Sequence, residues 1–475
     1  MSEIKYKPTI GLEIHVELNT KTKMFCRCLN NPDERRPNIN ICPICTAQPG
    51  ALPMINKEAV RHILRVGAAV GGRLADFAEF DRKNYFYPDI PKGYQISQYK
   101  YPLISGGNLN KVSITRIHLE EDTAKSFHDA KSDESLIDFN RSSLPLMELV
   151  TEPVIADGPT ASSFAKELQL LLRYLEASEA NMEKGQMRIE ANISVAPEGD
   201  KLGTKVEVKN LNSFRTVEKA IDEEIKRQIE VLESGEQVIQ ETRGWDEKKQ
   251  TTFSQRLKES SHDYRYFPDP DLPKLFISEI PEFHNIAETL PELPWQRRCR
   301  YAEIFGLKSE DVEVFVQNHK LALFFDELAE GLDQTLDETK NYLRIAANYV
   351  TSDILGLAAA GELQLPSVVD YANLLKMIIA GEISSRGAKD ILAVMIREGG
   401  EPRQIAEERG LFQVNDEKAV CAVVDKVVAD NQNVFEEYKT GKDKALQYLI
   451  GQAMKESKGS ANPGLLKKLF EAKVK

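Results

Sequence analysis

The sequence predicts an α+β fold, in which an antiparallel sheet with flanking helices comes first and helices alone follow. From residue 1 to about 290 the hydrophobic pattern has mainly a period of two, whereas from about 291 onward it has mainly a period of 3.6. Between the two textures, six prolines fall within the 27 residues from Pro268 to Pro294. Proline ends helices and removes backbone donors, so we expect a surface connector there.

Length and composition indicate an ordinary folded protein. The chain has 475 residues, of which 41% are hydrophobic and 29% charged, and this excludes wholesale disorder and fibrous structure. Acidic residues outnumber basic ones by 74 to 62, so binding of nucleic acid over the whole surface is disfavoured, although a local basic patch is compatible. No apolar run of about 18 residues and no secretory signal stand out, and we expect a cytoplasmic protein.

Four segments alternate between apolar and polar residues as half-buried strands do. They are Gly11–Asn19, Val112–Asp122, Met187–Val195 and Thr204–Leu211. In the first, Leu12 and Ile14 point to one face and Glu13 to the other. In the second, the alternation changes parity between Ile114 and Ile117, which predicts a β-bulge. Clean alternation favours antiparallel pairing with one wet face.

Two amphipathic helices are predicted in the first half, Pro159–Ala177 and Phe214–Ser234. The second begins after a good N-cap, Asn212 or Ser213, and Gly235 is placed to end it. The second half contains only helical patterns. The clearest are Glu310–Gly331, Asp337–Ala360, Ser367–Gly381, Ser385–Glu398, a set within Asp416–Leu449, and Pro463–Lys475. Residues 441–475 carry eight lysines against three acids, a local charge of +5.

Four of the six cysteines form two close pairs, Cys26-x-Cys28 and Cys42-x-x-Cys45. Two such pairs can surround one tetrahedral zinc ion. Four protein ligands would leave no coordination position for a substrate, so the predicted zinc is structural. The alternative is a loop of four reduced cysteines without a metal.

Acidic side chains share the polar faces of the predicted strands. Glu13 and His15 lie on the first strand, Glu190 and Glu207 on two others, and Glu120 and Glu121 end another. Converging carboxylates repel one another unless a cation joins them, and oxygen ligands suit Mg²⁺ or Mn²⁺. An imidazole ligand such as His15 is less usual for Mg²⁺, so Mn²⁺ or Zn²⁺ is an alternative metal ion for this site. The alternative is the ordinary charge of a wet sheet face.

Basic residues adjoin this acidic set. Lys205 and Lys209 flank Glu207, and their strand leads directly to the helix start at Asn212 and Ser213. Free amides at a helix start bind phosphate, so these features together are typical of a nucleotide phosphate site. The sequence contains neither a Walker A motif nor a kinase glycine loop. The alternative is that both lysines are merely solvated.

Three segments combine tyrosine with arginine or lysine: 82–89, 93–99 and 263–269. Such loops can stack on an adenine or on a terminal nucleotide and contact its phosphate. Ordinary packing of surface tyrosines is the alternative.

Several motifs together resemble the GatB/GatE family of tRNA-dependent amidotransferase subunits. They are Ile137–Arg141, Pro145–Glu148, Thr151–Pro153, Gly11–Leu18, Asn84–Asp89, Gly203–Glu207 with Lys209–Phe214, Asp263–Pro268, and Gly451–Pro463 in the tail. The resemblance covers nearly the whole chain.

This resemblance implies an antiparallel-sheet cradle domain over 1–293, with the zinc loop 26–45, then a helical domain over 294–400 and a YqeY-like helical tail over 401–475. It also implies partners, GatA and GatC, in a heterotrimer. ATP would phosphorylate the side-chain carboxylate of glutamate on the glutamine tRNA, of aspartate on the asparagine tRNA, or of both. Ammonia from glutamine, hydrolysed by GatA, would displace the phosphate. The lysine-bearing tail would contact the tRNA.

The resemblance also assigns residues. The predicted ligands of Mg²⁺, or of Mn²⁺, are Glu13, His15, Glu120, Glu121, Glu190 and Glu207, and those of zinc are Cys26, Cys28, Cys42 and Cys45. The predicted catalytic residues are Glu13, His15, Lys205 and Glu207, and the predicted ATP-binding residues are Lys83, Lys209, Asn210, Asn212 and Ser213. The chain departs from the family where Glu190 replaces an aspartate, and where Glu121–Ala124 lacks a glycine.

Two other functions compete with this one. A tRNA-binding scaffold without catalysis would leave the wet face merely solvated, and would not hydrolyse ATP in response to misacylated tRNA. A zinc-dependent hydrolase would need an open zinc position, which four cysteines do not leave.

Overall fold

The computed structural model describes residues 5–128, 134–199, 201–257, 264–358, 363–413, 417–440, 442–457 and 461–474. The chain divides into two compact units, Met1–Pro294 and Trp295–Lys475. Among the described residues the first unit holds the sheet and the second is helical, so the predicted α+β class is confirmed. The predicted division into 1–293, 294–400 and 401–475 stays a prediction.

The main sheet runs in the order β15-β14-β13-β12-β1-β11-β8-β6-β2, with β7 on β8. The described strands are β1 (Tyr6–Glu17), β2 (Arg73–Leu74), β3 (Phe77–Ala78), β4 (Asp81–Asn84), β5 (Tyr94–Ser97), β6 (Ile104–Ser105), β7 (Asn108–Leu109), β8 (Val112–Glu121), β9 (Lys125–His128), β10 (Ser135–Asp138), β11 (Pro145–Thr151), β12 (Met187–Pro197), β13 (Val206–Leu211), β14 (Glu241–Asp246), β15 (Thr251–Leu257), β16 (Phe267–Pro268) and β17 (Leu275–Phe276). Its described pairs are antiparallel except β13 with β14, which is parallel.

The alternating strands lie where the sequence predicts them. In β1, Leu12 and Ile14 are fully buried, whereas Glu13 and His15 point to the opposite face. In β8 the predicted bulge is present, because Val150 of β11 pairs with Arg116 while Thr151 pairs with Ile114. This skips one residue and reverses the faces of the strand beyond it.

Strand β11 was not predicted. Its sequence, Pro145–Thr151, is a nearly continuous apolar run. The strand lies between β1 and β8 and is hydrogen-bonded to both. A strand flanked on both edges and buried on both faces lacks the period-two signal. The only ionisable side chain in this run is Glu148.

Among the described residues of the first unit, three α-helices flank the sheet: α1 (Lys57–Ala69), α2 (Gly158–Tyr174) and α3 (Phe214–Glu233). Helix α3 packs on β12, β13 and β15 and against α2, whereas α1 packs on β8. The N-cap of α3 is Ser213, whose hydroxyl accepts the amide of Thr216 at 3.1 Å. Gly235 follows the helix with a φ of +82°. Helix α1 was not predicted.

The second unit is built of helices. They are α4 (Pro294–Cys299, which spans the boundary), α5 (Ser309–Gln317), α6 (His319–Ala329), α7 (Asp337–Asn348), α8 (Leu355–Ala358), α9 (Val368–Ile379), α10 (Ser385–Glu398), α11 (Pro402–Arg409), α12 (Glu417–Asp430), α13 (Gln432–Lys439), α14 (Asp443–Glu456) and α15 (Pro463–Val474). Arg300–Ile304 and Tyr349–Ile354 are π-helical. No helix of the described ranges is long and apolar enough to cross a membrane.

One predicted helix is interrupted. The predicted helix Glu310–Gly331 breaks at Asn318, which is extended and whose side chain caps α6 through the Leu321 amide at 3.1 Å. The set of helices predicted within Asp416–Leu449 corresponds to α12, α13 and the start of α14. Asparagine competes for backbone hydrogen bonds and so starts a new helix where periodicity alone continues the old one. The predicted ends at Ala360, Asp416 and Lys475 lie outside the described residues.

The last helices share a core of their own. Helices α12, α14 and α15 pack around Val424, Leu449 and Phe470, all fully buried. Lysines of the tail lie on its outside: Lys455, Lys467 and Lys468 are exposed. Lys458, another of the eight lysines in 441–475, lies outside the described residues.

Candidate active site

A polar cavity of about 360 Å³ lies over the wet face of the main sheet. Side chains of β1, β8, β11, β12, β13 and β14 form its floor, and tyrosines from the β4–β5 region and from residues 264–266 form its wall. The cavity therefore depends on six strands that are far apart in sequence.

Strand register places ionisable residues side by side across the floor. His118 of β8 pairs with Glu148 of β11, Glu148 pairs with His15 of β1, and His15 pairs with Arg188 of β12. Directly paired residues on one sheet face have Cβ atoms about 5 Å apart, close enough for their side chains to interact.

One carboxylate joins the two imidazoles. Oε2 of Glu148 lies 3.5 Å from Nε2 of His15 and 3.3 Å from Nε2 of His118, and Oε1 of Glu120 lies 3.4 Å from Nε2 of His15. Burial lowers the pKa of His15, but Glu148 and Glu120 outweigh it and raise that pKa to about 9. Burial raises the pKa of Glu148, but His118 and His15 outweigh it and hold that pKa well below its usual range.

Three further carboxylates meet beside this group. Glu13 pairs directly with Glu190, and their carboxylate oxygens lie within 4.8 Å of each other and of a Glu207 oxygen. Lys209 Nζ lies 2.8 Å from Glu190 Oε2 and 3.8 Å from Glu207 Oε2, while Thr242 donates its hydroxyl to Glu207 at 2.8 Å. Burial, and then the charge of Glu148, raises the pKa of Glu13.

The donor set fits a hard divalent cation. Glu13, His15 and Glu148 form one group of potential ligands, His118, Glu120 and Glu148 a second, and Glu13, Glu190 and Glu207 a third. Carboxylates directly opposite one another are destabilising without a cation, and oxygen-rich sites suit Mg²⁺ or Mn²⁺. Glu13 and Glu148 each belong to two groups, so adjacent cations could share them.

A second lysine, Lys83, and a cluster of tyrosine rings face the carboxylates from the wall of the cavity. Burial lowers the pKa of Lys83, but Glu120 and Glu148 outweigh it and raise that pKa. The Lys83 ammonium lies 5.0 Å from the ring centre of Tyr264, and Tyr99 stacks on Tyr266 with ring centres 4.4 Å apart. Lysine and stacked rings together suit a nucleotide.

Ion pairs between arginines and buried carboxylates mark the rim toward a neighbouring cavity of about 510 Å³. Arg141 binds Glu17 and Asp122, and Arg188 reaches Asp122 at 2.9 Å. Burial raises the pKa of Asp122, but Arg188 and Arg141 outweigh it and lower that pKa. Asp122 and Arg188 line both cavities, so this pair lies between them.

The structure brings together most of the residues assigned to metal and phosphate from the sequence. Those that line the cavity are Glu13, His15, Lys83, Glu120, Glu190, Glu207 and Lys209. Alternation along the strands puts all of these side chains except that of Lys83 on one face of the main sheet, which is why a pattern of period two could identify them. Lys83 lies on β4, in a separate sheet that forms the wall.

Other assigned residues lie elsewhere. Glu121 points away from Glu120 and is bound by Lys92 Nζ at 2.7 Å and by the Ile96 amide at 2.9 Å. Lys205 is exposed, immediately before β13 begins, and does not line the cavity. A residue that precedes the first paired position of a strand has no fixed orientation, so the alternation of the strand does not determine which way Lys205 points.

The residues at the start of α3 also lie off the carboxylate floor. Asn210 is exposed with a φ of +65°, Asn212 lines the neighbouring cavity, and the Ser213 hydroxyl caps the helix. Asp263, in the third tyrosine segment, lies outside the described residues.

Sequence reasoning missed Glu148, His118 and Arg188 as parts of the site. Glu148 stands alone in the apolar run of β11, and a single charge in an otherwise buried strand is a usable signal. His118 shares parity with Glu120 in a strand that was predicted, and Arg188 shares parity with Glu190. Their convergence depends on pairing register, which a single sequence does not fix.

The four predicted cysteines also come together. Sγ atoms of Cys26, Cys28, Cys42 and Cys45 all lie within 4.8 Å of one another, and none forms a disulfide. The Cys42 and Cys45 sulfurs are 3.9 Å apart, close to the roughly 3.8 Å expected of two ligands on a tetrahedral zinc ion. A hydrogen bond with the Cys26 thiol lowers the pKa of Cys45 to about 5. The cluster therefore fits one closed metal centre.

Comparison with known proteins shows the family to which the chain belongs. Residues 8–281 match the GatB/GatE catalytic domain, and residues 330–474 match the GatB domain. The first match contains every described residue of the cavity floor.

Curated relatives align with this chain over nearly the whole length of both proteins. The chain is 40% identical to the B subunit of the aspartyl/glutamyl-tRNA(Asn/Gln) amidotransferase of Rippkaea orientalis, over 100% of this chain and 98% of the relative. It is 41% identical to the same protein of Carboxydothermus hydrogenoformans, over 99% of each chain, and 42% identical to that of Thermotoga neapolitana, over 98% of this chain and 99% of the relative. The resemblance seen in the sequence motifs is confirmed, and the chain belongs to the GatB/GatE family of amidotransferase subunits.

Proposed function

We propose that this chain is the subunit of a glutamine-hydrolysing, tRNA-dependent amidotransferase that activates the misacylated substrate. It uses ATP to phosphorylate the side-chain carboxylate of Glu-tRNA(Gln), of Asp-tRNA(Asn), or of both. The observation that carries this proposal is the convergence of Glu13, Glu148, Glu190 and Glu207 with Lys83 and Lys209 in one cavity.

The proposed reaction has two steps, phosphorylation of the carboxylate and then its amidation. A side-chain carboxylate oxygen attacks the γ-phosphorus of ATP, and ADP leaves. Ammonia then attacks the acyl carbon, and the bond from that carbon to the phosphate oxygen breaks. Phosphate leaves with the electron pair of that bond, and the nitrogen gives up one proton to the departing phosphate as the amide forms. The activation is needed because a free carboxylate would have to expel oxide.

Charge neutralisation is the main requirement of phosphoryl transfer. A bound divalent cation would supply part of it, and the residues placed to hold one are Glu13, His15, Glu120, Glu148, Glu190 and Glu207. Lys209 and Lys83 face these carboxylates from two sides, so both ammonium groups are positioned to bind phosphate oxygens. No protein nucleophile is required.

The glutamate at position 190 supports the same role as the family's aspartate. Its Oε2 lies 2.8 Å from Lys209 Nζ, and one of its carboxylate oxygens lies within 4.8 Å of oxygens of Glu13 and Glu207. The longer side chain thus still reaches the carboxylate group, and we assign it to the metal site.

The tyrosine wall is the proposed site for a base. Tyr99 and Tyr266 already stack on each other at 4.4 Å, and Lys83 lies beside Tyr264. This wall suits either the adenine of ATP or the terminal nucleotide of the tRNA, because both offer an aromatic face next to phosphate.

We assign zinc to the four cysteines, in a structural role. Four thiolates complete a tetrahedral shell, and this leaves no position for a water nucleophile. The same reasoning argues against a zinc-dependent hydrolase, the competing enzyme class.

The proposed complex contains an amidase subunit, GatA, and a small subunit, GatC, and the proposed compartment is the cytoplasm. Exposed Lys455, Lys467 and Lys468 support a tRNA contact through the tail, because a basic patch on an acidic protein localises a polyanion.

The test is ATP hydrolysis by the reconstituted complex with each tRNA, charged and uncharged. We expect ADP release and amidation that require misacylated tRNA and a divalent cation. A binding scaffold would bind the same tRNA without releasing ADP, and that outcome would reject the proposal.

A further inference from the structure

Lys23 is a buried cation that the proposed chemistry does not use. Its side chain is fully buried, and lysine is almost never found so unless it is paired. Among the described residues it forms no ion pair with a carboxylate. An ammonium taken out of water without an anion is costly, so the fold must offer it compensation.

The nearest anionic candidate is the cysteine cluster. Lys23 Nζ lies 3.7 Å from Cys45 Sγ and 3.0 Å from the carbonyl oxygen of Phe139. Cys45 Sγ also accepts the amide of Cys42 at 3.2 Å. Besides the Cys26 thiol, this sulfur therefore receives two nitrogen donors, one of them charged.

The charge of a loaded metal centre explains why a cation belongs here. Four thiolates around one Zn²⁺ leave a net charge of −2, and burying that charge is unfavourable without a counter-ion. We infer that the buried ammonium of Lys23 is the counter-cation of the four-cysteine metal centre. It stabilises the metal-loaded state and hydrogen-bonds to a ligand sulfur. Lys23 is thus a positioning residue and not a ligand.

The same ammonium ties the metal loop to the active-site rim. Phe139, whose carbonyl it binds, lies two residues before Arg141, which pairs with Asp122. The Ser142 hydroxyl donates to the Cys45 carbonyl at 2.9 Å. Lys23 thus fixes the segment between the metal loop and the Arg141–Asp122 pair.

This inference rests on the proposed metal centre but not on the amidotransferase reaction, so the test uses zinc as the probe. Full-length wild-type protein, Lys23→Met and Lys23→Gln are loaded with zinc and titrated with a chromophoric chelator. We expect both variants to bind zinc about 10–100-fold more weakly, the usual range for loss of a residue that supports metal ligands. Gln keeps an N–H donor without the charge, so it separates charge from hydrogen bonding.

The matched control is Arg27→Met. Arg27 lies between Cys26 and Cys28 and carries the same charge, but it is exposed to solvent. Water screens exposed charges, so its loss should change zinc affinity by no more than about twofold. A decrease equal to that of Lys23→Met would show that any nearby positive charge suffices, and would overturn the specific assignment.

Thermal unfolding gives a second readout. Zinc should raise the midpoint of wild-type protein more than that of either Lys23 variant, because the loaded centre carries more negative charge than the metal-free cysteines and gains more from the ammonium. Wild-type zinc affinity in Lys23→Gln would overturn the charge role, and so would variants that fold neither with nor without zinc. If wild-type protein itself binds no zinc, the metal centre fails along with this inference, whatever the amidation assay gives.

Discussion

The cysteine cluster and the carboxylate floor are both groups of potential metal ligands, yet they are built in opposite ways. The cysteines lie within 20 residues of chain, from Cys26 to Cys45, and meet through loop geometry. The carboxylates extend from Glu13 to Glu207 and meet only because strands pair in register. The first group closes on itself, whereas the second lines a cavity of about 360 Å³.

In our proposal, this difference separates a structural centre from a reactive one. A closed set of four sulfurs satisfies its metal and links its binding to folding. An open set of carboxylates and imidazoles keeps coordination positions for substrate, at a cost in like-charge repulsion. Buried Leu12 and Ile14 on the reverse of β1 anchor that face, so the repulsion is tolerated.

Glu207→Gln should remove activity without unfolding the protein. The change is nearly isosteric but removes one anionic ligand from the floor, so tRNA-dependent ATP hydrolysis and amidation should both be lost, while the partner amidase still hydrolyses glutamine. Activity is measured in the reconstituted complex, and folding by circular dichroism. The control is Glu230→Gln, an exposed glutamate of α3, which should keep full activity.

Normal amidation by folded Glu207→Gln would contradict the functional interpretation. Glu207 would then be an ordinary charged residue on the solvent-facing side of the sheet. The carboxylate floor and the cysteine cluster would not differ in role.

Cys42→Ser should act in the opposite way, mainly on stability. If the loss of one thiolate weakens zinc binding about 100-fold, zinc should stabilise the variant by about 2.7 kcal/mol less than wild type at saturating metal. Elemental analysis and chemical denaturation measure the two effects. Cys299→Ser, an exposed cysteine of the second unit, should change neither. Carefully prepared wild-type protein without zinc would contradict the structural centre.

Removal of the residues after Gln413 should weaken tRNA binding and leave the floor intact. Helices α12, α14 and α15 have a core of their own, and their lysines are exposed. The logarithmic salt dependence of binding should become shallower by about 0.9 for each phosphate that the shortened protein no longer neutralises. Filter binding at several salt concentrations measures this slope. Equal affinity and equal slope for both forms would assign the lysines to solubility alone.

Ser213→Ala should have the smallest effect, a destabilisation of about 1 kcal/mol through loss of the α3 N-cap. Denaturant titration measures it, and Asn212→Ala, an exposed neighbour without the cap, should cost less. The KM for ATP should not change, because Ser213 does not line the carboxylate cavity. An increased KM would instead support the phosphate site predicted from the sequence at this helix start.

The same contrast explains how far the sequence could predict the molecule. Cysteine spacing and strand alternation are local, so the metal loop and the faces of β1, β8, β12 and β13 could be predicted directly. Strand β11 could not, because it is apolar on both faces, and Glu148 was therefore missed. Glu121 was assigned to the floor with Glu120, although neighbouring side chains of a strand diverge. Lys205 was assigned to the site because it alternates with Glu207, but alternation of side-chain direction does not extend beyond the first paired residue of the strand.

Mn²⁺ binding, followed by electron paramagnetic resonance on zinc-loaded protein, distinguishes the two clusters most directly. Wild-type protein and Glu230→Gln should both bind Mn²⁺, Glu207→Gln should bind it at least about tenfold more weakly, and all three should retain one zinc per chain. Unchanged Mn²⁺ binding by Glu207→Gln, or a parallel loss of its zinc, would contradict a separate and open metal site on the carboxylate floor.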